Sequence, residues 1–190
     1  MATHPFHREV GAIIRRQDFP KSAGLKILKD EACDEEGHKI YVYNRTTGTP
    51  LRFADVDILI ATKKKPKEAK VIIEIEESNV KPVQIFGKFF ASAFSNCYLP
   101  KGGGKKGYLP IAEPALFVQV LKSSKPKKGK SKKPEQWKRV DESIQAVLET
   151  LFKGEWQYSL FWGPQPEALV NIAGGKGLVD SIQAFLEQNP

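Results

Sequence analysis

Cysteine and histidine are scarce in this sequence. Its 190 residues contain two cysteines, Cys33 and Cys97, and three histidines, His4, His7 and His38. Neither cysteine has a neighbour at metal-ligand or redox-motif spacing, which excludes zinc-finger and CxxC chemistry and leaves two reduced structural thiols. The histidines are too few near acidic residues for a zinc site, and His4 and His7 fall at the frayed start of a predicted helix. No apolar run is long enough to span a bilayer. The opening MATHPFHREV lacks the basic-then-apolar order of a signal peptide. These absences predict a cytoplasmic protein with no membrane partner. No serine or cysteine nucleophile stands near a base. The glycine-rich stretches KGGGKKG (101–107) and GGKG (174–177) lack the Ser or Thr that follows the lysine of a phosphate-binding loop, so they read as flexible turns. VDESIQAVLE (140–149) resembles VDSIQAFLE (179–187), but this covers one helix and does not make a repeat architecture.

What is present is an ordinary globular composition, 41% hydrophobic and 10% aromatic. No composition shift divides the chain, so residues 1–190 are expected to form a single domain. The net charge of +8 is local. Nine basic residues and one acid lie between Lys122 and Arg139, and the remaining 21 basic and 21 acidic residues balance. The heart of this stretch, SSKPKKGKSKKPEQ, has no apolar side chain and two prolines. It predicts a mobile basic loop over 123–134, suited to a phosphate backbone through counterion release. Lys125, Lys127, Lys128, Lys130, Lys132 and Lys133 are the candidate contacts, with Lys105 and Lys106 in the glycine-rich loop and Lys81 as further candidates.

Hydrophobic periodicity predicts a mixed α/β chain. A helix is expected over Phe6–Arg16, strands over Lys39–Arg45, Phe53–Thr62 and Lys70–Glu76, and a helix from Pro82 to about Cys97 with Val83, Phe86, Phe90, Ala93, Phe94 and Cys97 as its core side. A strand over Ala115–Leu121 follows, then a helix over Glu135–Lys153 stopped by Gly154, a strand over Trp156–Trp162 and a helix over Leu178–Gln188. The order is α-β-β-β-α-β with an α-β-α extension.

One strand is anomalous. VIIEIE (71–76) is apolar enough to be buried yet carries Glu74 and Glu76 on one face. If Phe53–Thr62 pairs with it as a hairpin with Asp57 opposite Glu74, then Asp55 faces Glu76 and Leu59 faces Ile72. All four acids then share a face, and Val56, Ile58, Ile60, Val71, Ile73 and Ile75 share the other. Facing like charges are destabilising. A divalent cation is the physical remedy, and oxygen-only ligands favour Mg²⁺ or Mn²⁺.

An initial helix with an acid, Glu9, a VDILI strand with Asp57, and an E-x-E strand, Glu74-Ile75-Glu76, followed by a helix with polar residues together resemble the PD-(D/E)XK nuclease superfamily over about residues 5–121. The resemblance implies a restriction-endonuclease-like α-β-β-β-α-β core. Asp57 and Glu74 would be metal ligands and Glu9 the accessory helix acid, with Glu76 in the place of the usual lysine and a third metal ligand. Lys81, Gln84 and Lys88 share a helix face at i, i+3, i+7 spacing, continued by Ser92 and Ser95. Gln84 and Lys88 are therefore candidates to lean over the acids. The function implied is a Mg²⁺-dependent endonuclease hydrolysing DNA phosphodiester bonds, of restriction or structure-specific type, and the resemblance allows a homodimer. The alternatives are a catalytically inactive DNA-binding module of the same fold, and an RNA-binding or assembly protein.

Overall fold

The computed structural model describes residues 4–17, 19, 24–44, 51–63, 66–77, 80–101, 107–123, 133–172 and 174–190. The first helix, α1, runs Pro5–Arg16. Proline near its start is pre-organised for helix, and Arg15 and Arg16 in its last turn complement the carbonyl end. Phe6, Val10 and Ile14 at four-residue spacing are its buried stripe.

Strand β1, Leu25–Lys29, was not expected from the sequence. LKILK has no clean alternation, because it is an edge strand flanked by lysines, a usual protection of an open edge. β2 is Ile40–Asn44, inside its expected range. The expected strand Phe53–Thr62 is in fact two, β3 (Leu51–Val56) and β4 (Ile58–Thr62), broken at Asp57. β3 pairs with β2, so Asp55 lies opposite Tyr41 and not Glu76. β4 pairs antiparallel with β5 (Ala69–Glu76) through Ile58↔Ile73, Leu59↔Ile72 and Ile60↔Val71, the expected hairpin register.

Helix α2 is Pro82–Ala93 and stops short of Cys97, which opens β6, Cys97–Pro100. The long β7, Leu109–Lys122, pairs antiparallel with β6 at its start and parallel with β5 and with β8, Trp156–Gly163, along its second half. Between β7 and β8 lies α3, Lys133–Val147, continued by a π-helical turn, Leu148–Phe152. That turn ends at Lys153 (φ 39°) and Gly154 (φ 91°), so glycine supplies the expected stop. A two-residue β9, Val170–Asn171, pairs with β8, and α4, Leu178–Gln188, closes the chain. Among the described residues the sheet order is β1-β4-β5-β7-β6-β2-β3, with β8 also on β7. The architecture is mixed α/β, as expected.

Both faces of the sheet are covered. Ile58, Ile60, Val71, Ile73, Ile75, Val118 and Val120 pack with the apolar stripes of α1 and α4. Val56, Leu59, Ile72, Phe117 and Leu160 pack with Ile85 and Phe89 of α2 and with Trp137, Val140 and Ile144 of α3. Double burial explains why β4 and β5 read as near-continuous apolar runs. It also places Glu74, in step with Ile72, beneath α2 and not against water. Val56 falls on the α2 side, contrary to expectation, because the break at Asp57 resets the alternation. No helix among the described residues is long and apolar enough to cross a membrane.

Candidate active site

Asp57, Glu74, Glu76 and Lys88 come together at the end of the β4–β5 hairpin. The break between β3 and β4 puts Asp57 at the strand end, where its carbonyl accepts from the Asp30 amide at 2.8 Å. Its carboxylate Oδ2 accepts from the Ile75 amide across the hairpin at 2.7 Å, locking its direction. Glu74 is 2% exposed. Its partner comes from α2, where Lys88 stands three residues after Ile85 and one before Phe89, on the flank of the inward stripe. The Lys88 Nζ donates to Glu74 Oε2 at 2.7 Å and lies 3.0 Å from Glu76 Oε1.

The electrostatics are those of a site short of positive charge. Burial raises the Glu74 carboxyl well above its ordinary range, opposed by Lys88 and reinforced by Asp57 and Glu76. Burial likewise raises Asp57, opposed by Lys88 and by the hydrogen bond from the Ile75 amide. Burial alone would lower Lys88, but Glu74, Asp57 and Glu76 outweigh it and hold the ammonium above its usual value. The three carboxyls offer oxygen donors only, and one ammonium stands between two of them. Oxygen-only donors are of the type a hard divalent cation takes, but among the described residues the groups whose ligand atoms all lie within 4.8 Å of one another are His4, His7 and Glu77, and Asp30, Cys33 and Asp57, not Asp57, Glu74 and Glu76.

Other expected members lie elsewhere. Glu9 is exposed on α1, away from the buried stripe that carries Phe6, His7, Val10, Gly11 and Ile14. Gln84 is exposed, and its Oε1 accepts from the Lys81 amide at 2.9 Å, so it caps α2 and does not reach the acids. Asp55 forms a bidentate pair with Arg52 on β3, at 2.5 and 2.8 Å from Nη2. Ser92 is buried, and Val83 and Phe94 are exposed at 69% and 56%, so the inward stripe of α2 is Ile85, Phe89 and Ala93. The aromatics at 86, 90 and 94 stack along its flank instead. Lys81 is exposed at the start of α2. Lys133 begins α3. Lys105, Lys106, Lys125, Lys127, Lys128, Lys130 and Lys132 fall outside the described residues.

Several contributors were missed. Gln119 lies beside Glu74 in the parallel β5–β7 register. Its Nε2 donates to the Ile85 carbonyl at 3.2 Å and its Oε1 accepts from the Tyr158 hydroxyl at 2.7 Å. This buried chain fixes α2, and with it Lys88, over the sheet. The signal was available, since Gln119 is the one polar residue of ALFVQVL. Asp30 directly follows β1, and burial and Asp57 raise its carboxyl. Its Oδ1 caps the following turn through the Ala32 and Cys33 amides. Gly11 permits α1 to approach that turn, because a Cβ there would sit 2.6 Å from the Cys33 carbonyl oxygen. His7 is buried on α1 with Nε2 3.8 Å from Asp57 Oδ2, and its basicity is lowered by burial. Glu77, just past β5, accepts from the Phe6 amide at 2.5 Å and serves as the missing cap of α1.

Compared with known proteins, the chain matches no family model, no curated protein and no solved structure.

Proposed function

We propose that this protein is a Mg²⁺-dependent endonuclease acting on DNA, with Asp57, Glu74, Glu76 and Lys88 as its catalytic centre. The observation that carries the reading is the reach of Lys88 from α2 to both Glu74 and Glu76. A lysine beside paired carboxylates is what the PD-(D/E)XK pattern requires, and here a helix supplies the cation that position 76 lacks. The element order supports it too. With β2, β3 and β6 set apart as insertions, α1, the antiparallel strands β1, β4 and β5, then α2 and a parallel β7 come in the order of that core.

Asp57, Glu74 and Glu76 would hold Mg²⁺ or Mn²⁺ in this reading. When bound, such an ion lowers the pKa of its water and offsets charge on the phosphoryl oxygens. Lys88, 2.7 Å from Glu74 and 3.0 Å from Glu76, would supply positive charge to the scissile phosphate, and Glu76, partly open to solvent, would orient the attacking water. The basic segment 123–134 and Lys81 hold the backbone.

The test is cleavage of mixed DNA substrates in Mg²⁺, Mn²⁺ or chelator. Parent protein should cleave only with metal, and Glu74→Gln and Lys88→Met should each lose activity by about 10²-fold or more. Glu76→Lys should keep some activity. Binding of DNA without cleavage would replace this reading with a non-catalytic DNA-binding module, and a lack of both would remove DNA altogether.

A further inference from the structure

A second cluster lies at the opposite end of the His7 ring from Asp57. His4 and His7 are three apart at the start of α1, so both rings project from one side of its first turn, with their centroids 5.2 Å apart. Glu77 meets them there. Its Oε2 lies 3.4 Å from His4 Nδ1 and 3.7 Å from His7 Nδ1. One ligand atom from each of the three residues lies within 4.8 Å of the others. His7 is 8% exposed, and its Nδ1 is buried without a hydrogen-bond partner. A buried polar atom of this kind costs stability unless something satisfies it.

We propose that His4, His7 and Glu77 form a binding site for one borderline divalent transition ion of the Zn²⁺ class. Two imidazole nitrogens and one carboxylate oxygen are donors that suit Zn²⁺ and its neighbours better than Mg²⁺. In a tetrahedral site with bonds of about 2.0–2.1 Å, ligand atoms stand roughly 3.3–3.4 Å apart. The two nitrogen–oxygen separations are within a few tenths of an ångström of that spacing, and the third lies within 4.8 Å. The glutamate is divided in use. Oε1 holds the α1 amide and lies 4.0 Å from Lys122 Nζ, and Oε2 faces the two rings. His7 Nε2 faces Asp57, the arrangement in which a metal-bound histidine directs its second nitrogen to a carboxylate. An ion here would fix the ring that borders the carboxylate cluster. The inference does not depend on cleavage of DNA.

The experiment uses the full chain stripped with chelator, in the absence of nucleic acid. Zn²⁺ affinity is measured by competition with a chromophoric chelator, and Co²⁺ binding by visible absorption. The expected result is one Zn²⁺ per chain, and a Co²⁺ spectrum of a nitrogen–oxygen site with no thiolate charge-transfer band. His4→Ala and His7→Ala should each weaken Zn²⁺ by roughly 100-fold, more than the loss of an outer partner usually costs. Glu74→Gln should leave the affinity unchanged. His4 is nearly half exposed, so its alanine variant should keep the parent's unfolding midpoint and remain interpretable even if the His7 variant misfolds. No stoichiometric Zn²⁺, unaltered affinity in His4→Ala, a thiolate band from Cys33, or loss of binding in Glu74→Gln would each overturn the site.

Discussion

Lys88 brings one positive charge to carboxyls that burial has already made reluctant to ionise. Removing it strands Glu74 beneath α2. Lys88→Met should therefore lower unfolding stability in chelator by about 2–3 kcal/mol, under the ~3–5 typical of broken buried pairs because Lys88 is one-third exposed and Glu74 can take up a proton. Adding Glu74→Gln should recover most of that loss, and the two single variants with the double form a cycle readable by urea unfolding. A Lys88→Met protein as stable as its parent would mean that the pair carries no coupling. At this scale much of the site was legible. Two glutamates in an apolar strand announced the cluster, because nothing but a partner makes that pattern tolerable. Glu9 and Gln84 were misplaced since spacing alone assigns a helix face, whereas the actual face is set by which residues the sheet covers.

Elements were easier to locate than to bound. Helices α1 and α4 and strand β8 stand within a residue of expectation, because each has a regular apolar stripe and a clear stop. The break at Asp57 was hidden. FADVDILIAT is apolar enough throughout to pass as one strand, and only pairing partners far along the chain divide it. β1 was hidden for the opposite reason, since an edge strand with lysines has little alternation to show. α3 offers a test of its own. Asp141 is 4% exposed on it, with its carboxyl raised mainly by burial and eased by Gln145. The folded chain therefore keeps this proton at pH values where the unfolded chain, titrating near the ordinary ~3.9, has released it. Stability from this group is full below about pH 4 and falls as pH rises through the folded value. Asp141→Asn removes that fall. Its stability advantage over the parent should be smallest in acid and widen toward neutral pH, as followed by urea unfolding across that range. An advantage independent of pH would show that Asp141 does not titrate differently in the two states.

For the molecule as a whole, the charge distribution makes a prediction that the fold does not. Residues 123–133 contribute six lysines and no acid. If they lie along a phosphate backbone, replacing 124–131 with a short Gly/Ser linker should weaken DNA binding for all sequences alike. The slope of log affinity against log salt should flatten by up to about 0.9 for each phosphate that the chain no longer neutralises. The unfolding midpoint should stay near the parent's, because the segment has no apolar side chain to bury. An unchanged slope would assign the backbone binding to other lysines. Fold class and hairpin register were readable at this scale because both follow from alternation and burial, whereas the β2–β3–β6 extension was not, since its strands find partners only after the chain has closed on itself. That extension ends at one residue. β3 is the last strand of the sheet order, with Leu51 and Phe53 exposed along it, and it meets β4 at Asp57. Asp57 is thus a shared boundary: the chain before it belongs to the β2–β3–β6 extension and the chain after it to the β4–β5 hairpin, so a body seated on Leu51 and Phe53 would lie on the strand that leads directly into the candidate site.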